Sequence, residues 1–317
     1  MFASLSKATF SVLANSIVLK AIASRVGLRR PHSFAHRFVA GETTADAIAA
    51  AQRLEARGLT VTLDHLGERM TTRDGVMQAT RAYMAIVQAA ADAGISRNLS
   101  VKLTQIGLDI DRATAIDNLR RVLDVATRAD FFVRIDMEGS AYTENTLEVF
   151  ESLWGIGTRN IGVVIQACLR RSPGDVARMN ELGARVRLVK GAYREPKDVA
   201  FQRKAEVDAA YAALMEQLLA SCTYPAIATH DPALIARARQ FAADRAIGHD
   251  RFELQMLYGI RRDLQRSLVE AGYHVRIYVP FGTDWFPYFM RRLGERPANL
   301  GFVFKSLARE EKDQVRR

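Results

Sequence analysis

The stretch FFVRID, residues 131–136, is a short apolar run that ends on a carboxylate. Near-continuous apolar runs of this kind are typical of strands that are buried on both faces. Seven further runs resemble it: LTVTLD (59–64), LSVKL (99–103), IGVVIQ (161–166), VRLVK (186–190), AIATH (226–230), FELQML (252–257) and HVRIYV (274–279). The sequence therefore predicts eight buried strands.

Helical patterns separate these strands, for example TAIDNLRRVLDVATRAD and DPALIARARQFAADRA. Strict alternation of strand and helix indicates a parallel sheet, and eight units of about 31 residues each favour a closed (β/α)8 barrel. A doubly wound open sheet is the alternative. It usually carries a glycine-rich loop after its first strand, but LDHLGE follows here, and GIGTRN (155–160) precedes a strand instead of following one.

We predict an α/β, TIM-type barrel over residues 56–305, preceded by an N-terminal helical extension (1–55) and followed by a tail (306–317). The chain has 317 residues, of which 49% are hydrophobic, which suffices for a large core. Its apolar runs fall short of the ~20 residues that span a bilayer. The two cysteines, Cys168 and Cys222, do not form a disulfide framework, so we expect a reducing, cytoplasmic setting.

The net charge of +10 is unevenly distributed. The first 41 residues hold six cations and no acid appears before Glu42. This basic arm is interpreted as a helical extension, as a segment that lies on a membrane surface, or as a targeting peptide. Nucleic-acid binding is not expected, because the chain lacks a zinc-finger or aromatic RNA motif and its other cations are spread out.

Polar residues stand where nearly every predicted strand ends. Carboxyl ends of barrel strands carry the chemistry of such folds, and polar groups in apolar strands are costly unless they are paired. The set comprises Asp64, His65, Lys102, Asp136, Glu138, Gln166, Arg187, Lys190, Thr229, His230, Gln255 and Tyr278. Most members are donors, which suits a small anionic substrate and an electron-rich cofactor better than a hydrolytic metal. The alternative is that these residues only form ion pairs that close the end of the barrel. We assign no role to Asp64 and His65.

The segment WFPYFMRRLGERP, residues 285–297, places Tyr288, Arg291 and Arg292 on one face of a predicted helix. Two guanidinium groups beside aromatic rings are suited to binding a carboxylate or phosphate. The alternative is a solvated surface.

Seven motifs in order, LSVKLTQIG, RIDMEGSAYTENTLEVF, RVRLVKGAY, IATHDP, FELQMLYG, RIYVPFG and YFMRR, resemble the signatures of the proline dehydrogenase family. The resemblance runs from about residue 37 to the arginine helix and fits the monofunctional bacterial form. It implies a (β/α)8 barrel that holds FAD without a Rossmann domain and has its final helix over the barrel mouth.

The resemblance also assigns site residues. Arg291, Arg292 and Lys102 would bind the substrate carboxylate, and Tyr278 and Tyr288 would flank the proline ring. Asp136 and Arg187 match the family's active-site acid and the arginine beside the flavin. The flavin-contacting set would be Met137, Gln166, Lys190, Gly191, Ala192, Thr229 and His230, with Gln255, Leu257 and Glu295 in the same shell.

The implied reaction is oxidation of L-proline to Δ1-pyrroline-5-carboxylate by hydride transfer to flavin N5, with electrons passed to a quinone. That acceptor favours a cytoplasmic protein in peripheral contact with the inner face of the membrane. One alternative is a Schiff-base aldolase that uses Lys102 or Lys190 as its nucleophile. Another is a barrel that binds a ligand or DNA without catalysis.

Overall fold

The computed structural model describes residues 34–295, with side chains from residue 35 to residue 292. Within this range the chain forms eight strands, nine α-helices and four short 3-10 helices. The strands are β1 (Thr60–His65), β2 (Asn98–Val101), β3 (Phe132–Ile135), β4 (Ile161–Gln166), β5 (Arg185–Val189), β6 (Ala226–Ala228), β7 (Glu253–Leu257) and β8 (Val275–Phe281). The α-helices are α1 (Thr44–Glu55), α2 (Arg73–Asp92), α3 (Arg112–Arg128), α4 (Thr143–Gly155), α5 (Ser172–Glu181), α6 (Lys204–Ser221), α7 (Pro232–Asp244), α8 (Arg262–Glu270) and α9 (Trp285–Glu295). The 3-10 helices are Phe34–Arg37, Leu103–Gln105, Ser140–Tyr142 and His249–Arg251.

All eight strands are parallel and pair in chain order, and β8 pairs with β1 to close the barrel. The predicted TIM-type fold is confirmed, and the doubly wound alternative is wrong. Predicted and observed strand ends differ by at most two residues. The predicted runs that contain Lys102, Asp136 and Lys190 continue past the observed strands. At the barrel mouth the backbone stops pairing with its neighbours, but these side chains still lie at the end of the barrel.

The main core lies between the barrel and its ring of helices. In α2, for example, Val76, Tyr83, Val87 and Ala90 recur at helical spacing and are fully or almost fully buried. Each large apolar side chain that is withdrawn from water in this way contributes about 1.5–3 kcal/mol. This layer fixes the strands and, through them, the residues that follow each strand.

Two helices depart from a simple repeat. Helix α1 lies on the outer side of the barrel and packs against β1 and β8, the two strands whose pairing closes the barrel. Helix α9 instead joins a separate apolar group, the mouth cluster, whose buried members are Ala35, Phe38, Val39, Leu66, Trp285, Phe286, Tyr288 and Met290. Because Leu66 follows β1 directly, this cluster places α9 over the carboxyl ends of the strands, as expected for the final helix.

The basic arm as far as residue 33 and the tail at 306–317 lie outside the described residues. The division of the chain at residues 55 and 305 therefore stays a prediction. None of the helices between residues 34 and 295 combines the length and the apolar character that crossing a membrane requires.

Candidate active site

Strand register brings the polar residues of neighbouring strands to one level. Ser100 of β2 pairs with Asp64 of β1 and with Arg134 of β3. Lys102 and Asp136 each lie two residues further along the chain, directly after β2 and β3, so their side chains enter the barrel on the same face and at the same height. All five side chains are buried.

Lys102 is the centre of this group. Its Nζ lies 2.6 Å from Oδ1 of Asp64, 3.4 Å from Oδ2 of Asp136 and 3.4 Å from the hydroxyl of Tyr278. Burial by itself would lower the pKa of the lysine, but the attraction of Asp64, Tyr278 and Asp136 outweighs it and raises that pKa well above its usual value. Lys102 therefore remains a cation at the barrel mouth.

Asp136 connects the lysine to an arginine. Its Oδ1 accepts from Nη1 of Arg187 at 2.8 Å, and its Oδ2 accepts from the Tyr278 hydroxyl at 2.8 Å. Both terminal nitrogens of Arg187 also lie 3.2 Å from Oγ of Ser100. The Nε of Arg187 is buried and has no hydrogen-bond partner among the described residues. One donor of this fixed guanidinium is thus left for another acceptor.

Helix α9 contributes a second group of polar residues above the first. Arg291 donates from Nη2 to Oε1 of Glu68 at 2.9 Å, and each of these side chains is 25% exposed. The guanidinium carbon of Arg292 lies 5.2 Å from the ring centroid of Tyr288, which is itself buried. Both arginines are partly buried, so the interpretation of a fully solvated pair is wrong.

Tyr278 links the two groups. Its hydroxyl donates to Asp136 inside the barrel, and its ring packs against the mouth cluster that includes Tyr288. The guanidinium carbon of Arg187 lies 5.4 Å from the centroid of the same ring. The predicted substrate residues of β2, β8 and α9 therefore converge on one end of the barrel.

Lys190, just past β5, has different neighbours. Its Nζ lies 2.5 Å from Oδ1 of Asp208 in α6 and 3.0 Å from Oδ2 of Asp231. Asp231 also caps α7 by accepting from the backbone N–H of Ala233. Its own N–H donates to Oγ1 of Thr229 at 3.1 Å. Lys190 and Thr229 thus lie in one polar group at the start of α7.

Gly191, which follows Lys190, has no room for a side chain. Its φ is +111°, and a Cβ there would lie 2.3 Å from Sγ of Cys168 and 3.4 Å from Oε1 of Gln166. A side chain would be both strained and obstructed, so glycine keeps this segment against the end of β4. Gln166 is fixed in turn, because its Nε2 donates to the carbonyl of Glu138 at 2.9 Å.

The remaining predicted flavin residues are dispersed. Nε2 of His230 accepts from the backbone N–H of Leu257 at 2.8 Å, which joins the ends of β6 and β7. Met137 is buried in the main core, and Ala192 is exposed in the loop after β5. Gln255 donates to Glu253, towards the floor of the barrel and away from the mouth. The side chain of Glu295 lies outside the described side chains. The roles assigned to all of these residues stay predictions.

Sequence reasoning missed several partners. Glu68, Asp208 and Asp231 each pair with a predicted site cation, and Ser100 orients Arg187. The capping position of Asp231 before Pro232 was a usable signal for that residue. Glu68 and Asp208 carried no such signal, because they lie in a loop and on a helix face.

Within the described range, no cluster of three or more His, Cys, Asp and Glu side chains has a geometry suited to a metal ion. Cys168 and Cys222 are both free thiols. Burial raises the pKa of Cys168 to about 11, so this thiol is protonated near neutral pH.

The closed parallel barrel, with buried ionisable residues gathered at the carboxyl ends of its strands, defines a (β/α)8 enzyme. A family model described as proline dehydrogenase matches residues 47–305. The chain belongs to the proline dehydrogenase family and is an oxidoreductase.

Curated relatives agree along most of the chain. Proline dehydrogenase 1 of Bacillus subtilis (strain 168) is 42% identical over 291 residues, which cover 92% of this chain and 94% of the relative. Proline dehydrogenase of Deinococcus radiodurans is 41% identical over 279 residues, which cover 87% and 90% of the two chains. The match to chains of this length supports the predicted monofunctional form.

Among solved structures, proline utilization A (PutA) from Bdellovibrio bacteriovorus, inactivated by N-propargylglycine, has a TM-score of 0.77 and 29% sequence identity. The match covers 82% of this chain and 32% of PutA, so the chain spans about a third of that longer protein. The likeness thus concerns one part of PutA.

Proposed function

We propose that this protein oxidises L-proline to Δ1-pyrroline-5-carboxylate with FAD as its cofactor. The observation that carries the proposal is the position of Tyr278. This residue ties a buried cation group, Lys102 and Arg187 around Asp136, to the helix that carries Arg291. Cations that converge from a barrel strand and from a covering helix suit a small substrate with one carboxylate.

The residues at the mouth fit a flavin by two features. The buried Nε of Arg187 lacks a partner among the described residues, and it supplies a charged donor for an electron-rich ring. Gly191 packs against Cys168 and Gln166 on the side where a Cβ would stand, and its backbone is otherwise exposed, so that a ligand can approach it from the solvent side. Arg187, Lys190, Gly191 and Thr229 would hold the cofactor. FAD, when bound, supplies the acceptor for the hydride that leaves C5 of proline, and a quinone takes the electrons from it.

The protein's own residues mainly bind and orient the substrate. Lys102, Arg291 and Arg292 would hold the carboxylate, and a carboxylate fixed at three donors leaves one face of the ring presented for reaction. Held geometry of this kind accounts for a large part of many rate enhancements. Tyr278 and Tyr288 would enclose the ring and exclude water from it.

The contacts of the two candidate lysines argue against a Schiff-base aldolase. Such an enzyme needs a neutral amine, and a nucleophilic lysine usually has a lowered pKa. Lys102 has a raised pKa because Asp64 and Asp136 outweigh its burial. Lys190 forms ion pairs with Asp208 and Asp231. Both amines are therefore held by carboxylates.

The visible spectrum of the purified full-length protein tests the proposal. We expect flavin absorption that bleaches on anaerobic addition of L-proline and returns on addition of a quinone analogue. Pyrrolidine is the matched control, because it has the same ring without the carboxylate and should bleach the flavin poorly. A protein that contains no flavin after expression with adequate riboflavin, or whose flavin L-proline leaves oxidised, contradicts the proposal. A barrel that binds its ligand without turnover would give the second result.

A further inference from the structure

The loop between β1 and α2, residues 66–72, carries Glu68 to its contact with Arg291 of α9. We call this segment the Glu68 loop. A single partly exposed ion pair between two surface segments usually contributes about 1 kcal/mol or less. For Glu68 to orient Arg291, the loop itself must be fixed by something stronger.

Thr104 fixes the middle of the loop. Its Oγ1 accepts from the backbone N–H of Arg69 at 3.1 Å, and its carbonyl accepts from the N–H of Met70 at 3.0 Å. Arg69 has a φ of 57°, in the left-handed region that a non-glycine residue adopts at a cost. Thr104 is itself held by Glu138, whose two carboxylate oxygens accept from its N–H and its hydroxyl at 3.1 and 2.6 Å.

Gln105 fixes the start of the loop. Its side chain is buried. The surrounding hydrogen-bond partners determine the orientation of the amide, whose nitrogen donates to the carbonyls of His65 and Gly67, both at 3.2 Å. The same nitrogen lies 2.5 Å from the hydroxyl of Tyr83. A Cβ on Gly67 would lie 2.6 Å from the Gln105 amide, so the loop backbone rests directly on this side chain.

Both supports belong to the 3-10 turn Leu103–Gln105, which follows Lys102 directly. One turn of the chain therefore carries a candidate substrate lysine and also holds the loop that reaches the opposing arginine.

We propose that Thr104 and Gln105 are positioning residues, which hold the Glu68 loop so that Glu68 meets Arg291 and keeps that arginine turned towards the substrate carboxylate. The kinetic part of this inference rests on the proposed proline oxidation. The structural part, the support of the loop, does not depend on it.

Three substitutions separate the supports from general packing. Thr104→Val keeps the shape and removes the hydroxyl, whereas Thr104→Ser keeps the hydroxyl. Gln105→Met keeps the length and removes the amide. We expect Thr104→Val and Gln105→Met to raise the KM for proline about tenfold, since a misplaced arginine forfeits a charge-assisted hydrogen bond to the carboxylate. The kcat should change little, and Thr104→Ser should restore the wild-type KM.

A double-mutant cycle with Glu68→Gln tests whether the effect passes through Glu68. In the Glu68→Gln background, Thr104→Val and Gln105→Met should each raise KM less than twofold further, because the contact that they support is already lost. Full additivity, or unchanged KM in both single variants, overturns the proposal. If Gln105→Met does not fold, the Thr104 pair decides alone.

Hydrogen exchange in the full-length protein provides a readout that needs no turnover. The amides of Arg69 and Met70 should exchange at least tenfold faster in Thr104→Val and in Gln105→Met than in wild type. Asn118→Leu is the matched control, since it removes another buried amide, which donates from α3 to the carbonyl of Ile106, one residue past the turn and away from the loop. Its effects should be additive with Glu68→Gln. Unchanged exchange in both test variants refutes the loop support even if proline is not the substrate.

Discussion

Oδ1 of Asp64 lies 2.6 Å from Nζ of Lys102, and this contact joins the ends of β1 and β2 inside the barrel mouth. Both side chains are buried. Removing one partner of a buried ion pair typically costs about 3–5 kcal/mol, because the other charge is left uncompensated. Asp64, for which the sequence offered no role, thus forms the shorter of the two ion pairs of Lys102 and raises the pKa of that lysine.

Replacing Asp64 should therefore alter the pH dependence of catalysis. In the proposed site Lys102 would bind the carboxylate as a cation, and this form is lost as the pH rises through the lysine pKa. Asp64→Asn removes a carboxylate that raises this pKa, so the alkaline fall of kcat/KM should move to lower pH. We also expect kcat/KM at neutral pH to fall about tenfold or more. A pH profile that superimposes on the wild-type profile would show that Asp64 does not act on Lys102.

The two arginines of α9 should act on substrate binding. Arg291→Ala and Arg292→Ala are each expected to raise the KM for proline about tenfold or more, the usual cost of losing a charge-assisted hydrogen bond to a buried anion. FAD should stay bound, as measured by flavin absorbance per protein. Arg266→Ala is the control, because that side chain on α8 is 78% exposed and should leave KM unchanged. Wild-type kinetics in both test variants would show that these arginines have a structural role and do not bind the substrate.

Arg187 should tune the cofactor. A cation beside a flavin stabilises its reduced, anionic form, so Arg187→Met should lower the reduction potential or weaken FAD retention. Arg187→Lys keeps the positive charge, so its flavin reduction potential should lie between those of the wild type and of Arg187→Met. Potentiometric titration with reference dyes measures the shift. If Arg187→Met has the wild-type reduction potential, FAD content and turnover, Arg187 does not tune the cofactor.

The floor of the barrel should contribute to stability in acid. Oε1 and Oε2 of Glu253 lie 3.1 and 2.9 Å from Nε of Arg276. Burial opposes ionisation of Glu253, but Arg276, together with Gln255 and Arg134, lowers its pKa below the usual value. A carboxyl group whose pKa is depressed by folding stabilises the fold above its unfolded pKa and loses that contribution as the pH falls through the folded value.

Glu253→Gln should thus lower the free energy of unfolding at neutral pH by about 3 kcal/mol or more, the cost of leaving a buried arginine unpaired. Urea denaturation at several pH values should show the difference from wild type shrinking below about pH 4.5, where the unfolded carboxyl protonates. A difference that stays constant down to acid pH would mean that packing and not charge sets the cost.

The basic arm should bind anionic lipid reversibly. Residues 1–41 combine six cations with no acid, and each cation near an anionic surface contributes about 1 kcal/mol, which salt screens. Full-length protein should co-sediment with phosphatidylserine-containing vesicles at low salt. Deletion of residues 1–30 should abolish this binding and leave dye-coupled activity intact. Full-length protein that remains in the supernatant would favour packing of the arm against the barrel.

Much of the fold was predictable because it depends on local pattern. Strands such as Ile161–Gln166 are buried along their whole length, and a run of apolar residues reports this directly. Parallel strands then place their carboxyl ends at one edge, so the meeting of Lys102, Asp136 and Tyr278 followed from their positions within the runs. The position of α9 was a different matter: it was expected from family resemblance and not from periodicity.

The sequence by itself determined the number of strands, their order and the residue types at the barrel mouth, because hydrophobic periodicity and chain alternation are local properties. Only the tertiary structure decided which carboxylate faces each cation. Glu68 is 223 positions from Arg291 along the chain, and Asp64 is 38 from Lys102. Such pairs form because packing brings distant segments within a few ångströms, and the strength of an ion pair depends on that distance and on burial, which the order of residues does not specify.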